Sequence, residues 1–347
     1  MTRQNAPLRI VAIGGGTGLA TLLRGLKPYS LGSGTVPSPT EAGRAVEITA
    51  VVTVTDDGGS SGRLRREFDV PPPGDIRSCM VALSEDEALL SRLFQYRFRT
   101  GRGLKGHSFG NLFLTALSEV TGDFAQAVKV SSEVLAIAGD IHPSTGANVT
   151  LQARLADGTV VCGESRISRS RSPIESVFLE PRRCRPLPET CDAITRADII
   201  TLGPGSLYTS VIPNLLVEGI PEAIKRSHAI KAYVVNLMWQ PGETIDYSAA
   251  DHIAAIHEHA RMRLIDCVLV NTRPVSPVLR RRYAREHARP VESDLARLRE
   301  MGLTIVEGDF LEESDKVRHN SEALAEAVLK LAGERQSRRL TKRAATR

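Results

Sequence analysis

The sequence predicts an α/β protein with a Rossmann-like, three-layer αβα fold, doubly wound around a mostly parallel sheet. Two glycine-rich corners carry the prediction: Gly14-Gly15-Gly16-Thr17-Gly18 and Gly203-Pro204-Gly205-Ser206 each follow a short apolar run and precede a helix-like segment. A strand that stops in glycines and hands over to a helix is the βα unit of such sheets. The third observation is the regular return of short β-branched runs between amphipathic stretches, in a chain of 347 residues that is 41% hydrophobic and long enough to bury a substantial core.

The elements follow in order. After an extension over residues 1–7, Leu8 to Ile13 reads as a buried strand and Thr17 to Leu26 as the helix behind it, with Leu19, Leu22, Leu23 and Leu26 at helical spacing. Pro28 to Glu47 is rich in Gly, Ser and Pro and reads as a long surface loop. Val46 to Thr55 is a second strand, ending in the polar run Asp56-Asp57-Gly58-Gly59-Ser60-Ser61-Gly62. Pro71-Pro72-Pro73-Gly74-Asp75 is a rigid turn before a helix from about Ile76, and further helices are expected over 85–98, 111–119 and 123–135. Residues 147–156 and 159–164 alternate in character across Asp157-Gly158, the signal of an inserted β-hairpin. Ser165 to Pro188, rich in Arg, Ser and Pro, reads as an extended or looped connector. Strands then recur at 197–202, 232–237, 267–271 and 302–306, with helices at 207–217, 249–261 and 321–331. No linker splits the pattern, so residues 8–331 read as one domain and 332–347 as a basic, disordered tail.

Composition narrows the function classes. Aromatic content of 4% argues against a stacking platform for single-stranded nucleic acid, and no specific nucleic-acid partner is expected. No apolar run approaches the roughly eighteen residues of a membrane span, and the first residues lack a signal-peptide core, so a cytoplasmic protein is expected. Five cysteines form no CxxC pair and read as reduced thiols. The formal net charge of +5 resides in the tail, where six basic side chains oppose Glu334. Such a tail is either simply solvated or contacts an acidic partner or a lipid surface. Arg280-Arg281-Arg282 reads as a wet helix face.

The corners suit an anion, because unpaired N–H groups and the helix dipole both favour one. The first is no dinucleotide fingerprint, since Leu19 or Thr21 stands where the third glycine belongs, and there is no Walker motif. Asp56 and Asp57 stand at the carboxyl edge of the sheet, where ligands bind in open α/β folds. Successive strand residues face opposite sides, so one carboxylate is expected at the site, to accept from a sugar hydroxyl or hold Mg²⁺; Asp-Gly also marks plain turns. Gly58, Gly59, Ser60 and Ser61 leave room for a close-lying ligand. Asp75 and Arg77 flank a helix start, where Asp75 also serves as an N-cap. His107 is a general-base candidate with no nucleophile beside it in sequence, and Asn111 is placed for a ligand amide or ribose. Ser206, Tyr208 and Thr209 surround the second corner with hydroxyls, and Asn236 ends the next strand on the same edge.

The segments VAIGGGTGLATLLRGLK, VTVTDDGGSSGRLRREF, PPPGDIRSCMVALS, GHSFGNLFLTAL, LGPGSLYTSVIPNLLV and NLMWQPGET resemble those of the YvcK family of gluconeogenesis factors, within the phospholactate-transferase-like group, over about Leu8 to Asn271. The resemblance implies a cytoplasmic protein that binds UDP-sugars such as UDP-N-acetylglucosamine and serves cell shape and peptidoglycan precursor supply during gluconeogenic growth. It implies no settled reaction and no resident cofactor. A protein partner in wall-precursor synthesis and a homo-oligomer are further expectations. The alternative is a phosphotransferase of the 2-phospho-L-lactate transferase type, using a nucleoside-diphosphate donor and Mg²⁺, with Asp56 and Asp75 as metal candidates. Gly203-Pro204-Gly205-Ser206-Leu207-Tyr208 departs from the transferase's G-P-S-N-P loop, which weighs against that activity.

Overall fold

The computed structural model describes residues 6–31, 44–84 and 89–344. Their strands are β1 (Leu8–Gly14), β2 (Val46–Val52), β3 (Asp140–Pro143), β4 (Thr150–Leu155), β5 (Val160–Cys162), β6 (Ile174–Glu180), β7 (Ile199–Leu202), β8 (Ile230–Val234), β9 (Cys267–Asn271), β10 (Thr304–Gly308), β11 (Leu311–Glu313) and β12 (Val317–His319). Seven of them form one parallel sheet in the order β10-β9-β8-β7-β1-β2-β3. The chain runs outward from β1 to β2 and β3, then returns to β1's other side at β7. The strand order therefore reverses between β1 and β7, the place where doubly wound sheets open a crevice at their carboxyl ends.

Helices cover the sheet to give three layers. Gly16–Leu26 packs against Gly74–Leu83 and Ser321–Ala344, while Pro188–Arg196 packs against Ile220–Arg226. Strands covered on both faces read as continuous apolar runs rather than alternating ones. Accordingly, Ile10 to Ile13, Ile199 to Leu202 and Cys267 to Val270 are all buried. A small antiparallel sheet, β5-β4-β6, stands beside this core, and β11 pairs with β12.

Several expectations change. The connector from Ser165 to Pro188 contains β6, which pairs with β4, preceded by the short helix Glu164–Ile167. Its buried Val177 and Leu179 give it one apolar face, which the surrounding Arg, Ser and Pro obscure. Strand β3 was not anticipated, because Asp140 and His142 break any apolar run. The helix expected over 207–217 is a π-helical turn, Leu207–Val211, followed by Ile212–Leu215. Pro213 has no N–H to offer the Thr209 carbonyl, and the Thr55 hydroxyl reaches that carbonyl instead at 3.5 Å. The closing helix runs to Ala344 rather than stopping before a disordered tail, since residues 332–344 are mostly helix formers and contain no proline. Most of the loop expected over 28–47, and the start of the helix expected over 85–98, lie outside the described residues. Among the described residues no helix is long and apolar enough to cross a membrane.

Candidate functional site

The two glycine corners touch. Gly203 N–H donates to the Ile13 carbonyl at 2.9 Å, and the Gly14 carbonyl accepts from Thr53 N–H at 2.9 Å and from Asn214 Nδ2 at 3.3 Å. A Cβ on Gly18 would run into the Pro204 carbonyl and lie 3.0 Å from Gly205 Cα. Adjacent parallel strands β1 and β7 deliver both corners to one edge, and the absence of side chains at Gly18 and Gly205 lets the backbones meet. Thr17 and Gly18 occupy the first turn of their helix, where N–H groups have no intrahelical partner. Gly15 and Gly16 differ: the Asp75 carboxyl lies against them and accepts the Gly16 N–H. The first corner thus already has a carboxyl group supplied by the protein against it.

The loop after β2 is held by a chain of polar contacts. Asp56 accepts the Gly58 N–H at 2.8 Å and a hydrogen bond from Ser61. Ser61 also accepts from Asn111 Nδ2 at 3.2 Å, and Asn111 Oδ1 accepts from Arg77 Nε at 2.9 Å. Asp57 turns the other way, its carboxylate taking the Ser165 N–H at 2.8 Å and packing against Gly163. The two neighbouring aspartates therefore part: Asp56 holds its own loop and Asp57 anchors the inserted sheet. Asp57→Ala should cost about 0.5–2 kcal/mol, the value of a lost helix cap. A urea melt measures this, and hydrogen exchange should show faster opening of residues 163–167.

His107 is 4% exposed and its Nδ1 lies 3.0 Å from Ser60 Oγ, which accepts the Ser108 N–H. Burial and nearby Arg63 push this imidazole below its ordinary value, and it shares a hydrogen bond with the Ser60 hydroxyl. The pair clamps the Asp56–Gly62 loop to the turn before the helix Phe109–Thr121. Tyr208 lies away from the rim: the π turn directs its hydroxyl to Tyr247 at 2.7 Å and its ring edge to His259. Thr209 donates to Glu243 Oε1 at 3.2 Å. Gly59 has open space beside it, and Ser206 continues the rim through Gln240, which also accepts from Asn236 Nδ2 at 3.1 Å.

Sequence reasoning missed two acids. Glu164 and Glu243 join Asp56, Asp57 and Asp75 in one field of negative charge. Burial, then the neighbouring Asp75 and Asp56, push the Glu164 carboxyl up to about 9. Asp75 is pushed up to about 7 by burial and by Asp56, against the Gly16 N–H and Arg77. Burial likewise raises Asp56 and Glu243. Glu164 Oε2 and Glu243 Oε2 are buried without a hydrogen-bond partner, although Ser168 and Thr209 serve the other Glu243 oxygen. No local pattern marks either residue; only the fold brings them to the corner. Such a field, partly protonated at neutral pH, can both donate to and accept from hydroxyl groups. Among the described residues, no group of three or more His, Cys, Asp or Glu side chains is arranged to hold a metal ion.

Fold and site define a Rossmann-type α/β protein with two touching glycine corners and a cluster of buried carboxyl groups at its switch point. A family model described as 2-phospho-L-lactate transferase CofD matches residues 10–311, and the chain belongs to that family. Relatives named gluconeogenesis factor include those of Halalkalibacterium halodurans, 48% identical over 92% of this chain and 95% of the relative, and of Bacillus subtilis, 46% identical over 94% and 98%. A crystal structure of a Bacillus halodurans protein superposes with a TM-score of 0.86 at 48% identity, covering 93% of this chain and 100% of that one.

Proposed function

We propose that this protein is a gluconeogenesis factor that binds a nucleotide sugar of the UDP-N-acetylglucosamine type, as a cytoplasmic regulator of cell shape and wall-precursor supply. One observation carries the reading: Gly18 meets Pro204 and Gly205 without an intervening side chain, so amide donors of both corners address one diphosphate. The N–H groups of Thr17, Gly18, Gly205 and Ser206 receive the phosphates. Asp56 and the Glu164–Glu243 field receive sugar hydroxyls. The relatives' name supports the link to gluconeogenic growth. Calorimetry with UDP-N-acetylglucosamine, GDP and NAD tests this. Selective heat with the UDP-sugar is expected, and none at millimolar ligand removes the reading.

A second reading, phosphoryl-group transfer, is favoured by the matching transferase family and by Asp75, a carboxyl near neutrality beside the phosphate corner. Mg²⁺ in such an enzyme is held by one or two carboxylates and the substrate phosphates, which Asp56 and Asp75 suit. Turnover of a nucleoside diphosphate donor only with Mg²⁺ would select it.

A further inference from the structure

Beside the rim, at the carboxyl ends of β8 and β9, lies a cavity of about 240 Å³. We propose that it holds the nucleobase of the ligand, with Arg280 at its mouth pairing with the phosphate nearest the nucleoside. This assignment rests on the nucleotide-sugar reading and adds which end of the ligand lies where.

Size is the first argument. Pockets for drug-sized ligands run about 300–1,000 Å³, so this cavity takes one ring system and not a whole nucleotide sugar. Chemistry is the second. Val270, Val275, Pro290 and Val291 line it with apolar surface for the faces of a flat ring, while Asn236 and Arg280 add polar groups. Asn236 Nδ2 is engaged by Gln240, which leaves its amide oxygen to accept a base N–H, the group that the ring of uracil carries and that of cytosine lacks. Arg280 forms no ion pair among the described residues, unlike neighbouring Arg273, which pairs with Asp309 at 3.5 Å.

Direction is the third argument. Asn236 lines the cavity and, through Gln240, reaches Ser206 in the second glycine corner, so cavity and phosphate donors share one rim. In the sheet order the corners at β1 and β7 stand between this cavity and the β2 loop. That loop and the inserted sheet carry Asp56, Asp57 and Glu164, and Glu243 joins them from the β8 loop through Ser168. Carboxyl groups there suit a polyhydroxylated sugar and disfavour a phosphate, so the sugar points that way and the base points into the cavity. The larger hollow, about 710 Å³, lies at the outer edge beside β3, bordered by Asp123, Glu133 and Glu189 and without either glycine corner.

Calorimetry with UDP-N-acetylglucosamine and with UDP on Val291→Phe, which fills the cavity, and on Arg280→Ala, an exposed position, tests the assignment. Both variants should weaken both ligands by about tenfold or more, the scale of a lost charge-assisted contact or a blocked ring site. Valine methyl NMR of the unmodified protein should show UDP shifting the Val270, Val275 and Val291 signals, independently of how well Val291→Phe folds. Unmodified protein that binds UDP-sugar while Arg280→Ala binds equally well and those methyls stay unmoved overturns the base site and leaves the nucleotide-sugar reading standing. Unmodified protein that binds neither ligand overturns both.

Discussion

Gly18→Ala is expected to lower UDP-N-acetylglucosamine affinity by about tenfold or more and to destabilise the protein by about 1–3 kcal/mol. On an open helix the same change stabilises by roughly 0.5–1 kcal/mol, because alanine loses less backbone freedom than glycine. Here the new methyl meets the Pro204 carbonyl, a backbone atom that cannot rotate away. Either the first helix retreats or the second corner is displaced. In both cases the donors at Thr17, Gly18, Gly205 and Ser206 cease to share one ligand. Gly333→Ala is the control, since its Cβ would have no neighbour within 4 Å. Calorimetry and thermal melting of the two variants check the contrast. A Gly18→Ala protein that melts and binds like the unmodified one would show that the corners do not act together.

That contact explains what was legible in the sequence. A glycine corner after an apolar run is a local signal, so both corners, β1, β9 and the Asp157-Gly158 hairpin are readable from neighbours in the chain. The meeting of the corners follows from parallel order, which places β7 beside β1. Glu164 and Glu243 were not readable. Each lies in a segment unremarkable by itself and joins the carboxyl cluster only because Asp57 ties the inserted sheet to the β2 loop and Thr209 ties Glu243 to the second corner. Tyr208 failed in the opposite way. Its position in the chain is next to the site, yet the π turn before Pro213 rotates its hydroxyl toward Tyr247. Arg280 and Arg282, alike in sequence, also part company: Arg282 donates to the Asp315 carbonyl at 2.7 Å, whereas Arg280 borders the cavity.

Asp75→Asn should remove most of the pH dependence of ligand binding near neutrality. The Asp75 carboxyl titrates at about 7 in the folded protein, against an ordinary value of 3.8. Burial and the neighbouring Asp56 raise it, while the Gly16 N–H and Arg77 act the other way. A folded-state value above the unfolded one means that the native protein holds more protons between these limits. Its stability is then fully present below 3.8, falls as pH rises through the window, and levels off above about 7. Glu164 extends the decline from its ordinary 4.5 to about 9. A phosphate placed against the Gly16–Gly18 turn raises Asp75 further, so binding above neutrality takes up a proton. Affinity therefore falls by up to about tenfold per pH unit there. The asparagine keeps an oxygen for the Gly16 N–H but carries no titrating charge. Calorimetry of UDP-N-acetylglucosamine from about pH 6 to 8, in buffers of different ionisation heat, counts the protons. A slope that persists unchanged in Asp75→Asn would place the titrating group elsewhere, with Glu164→Gln as the next variant to resolve it.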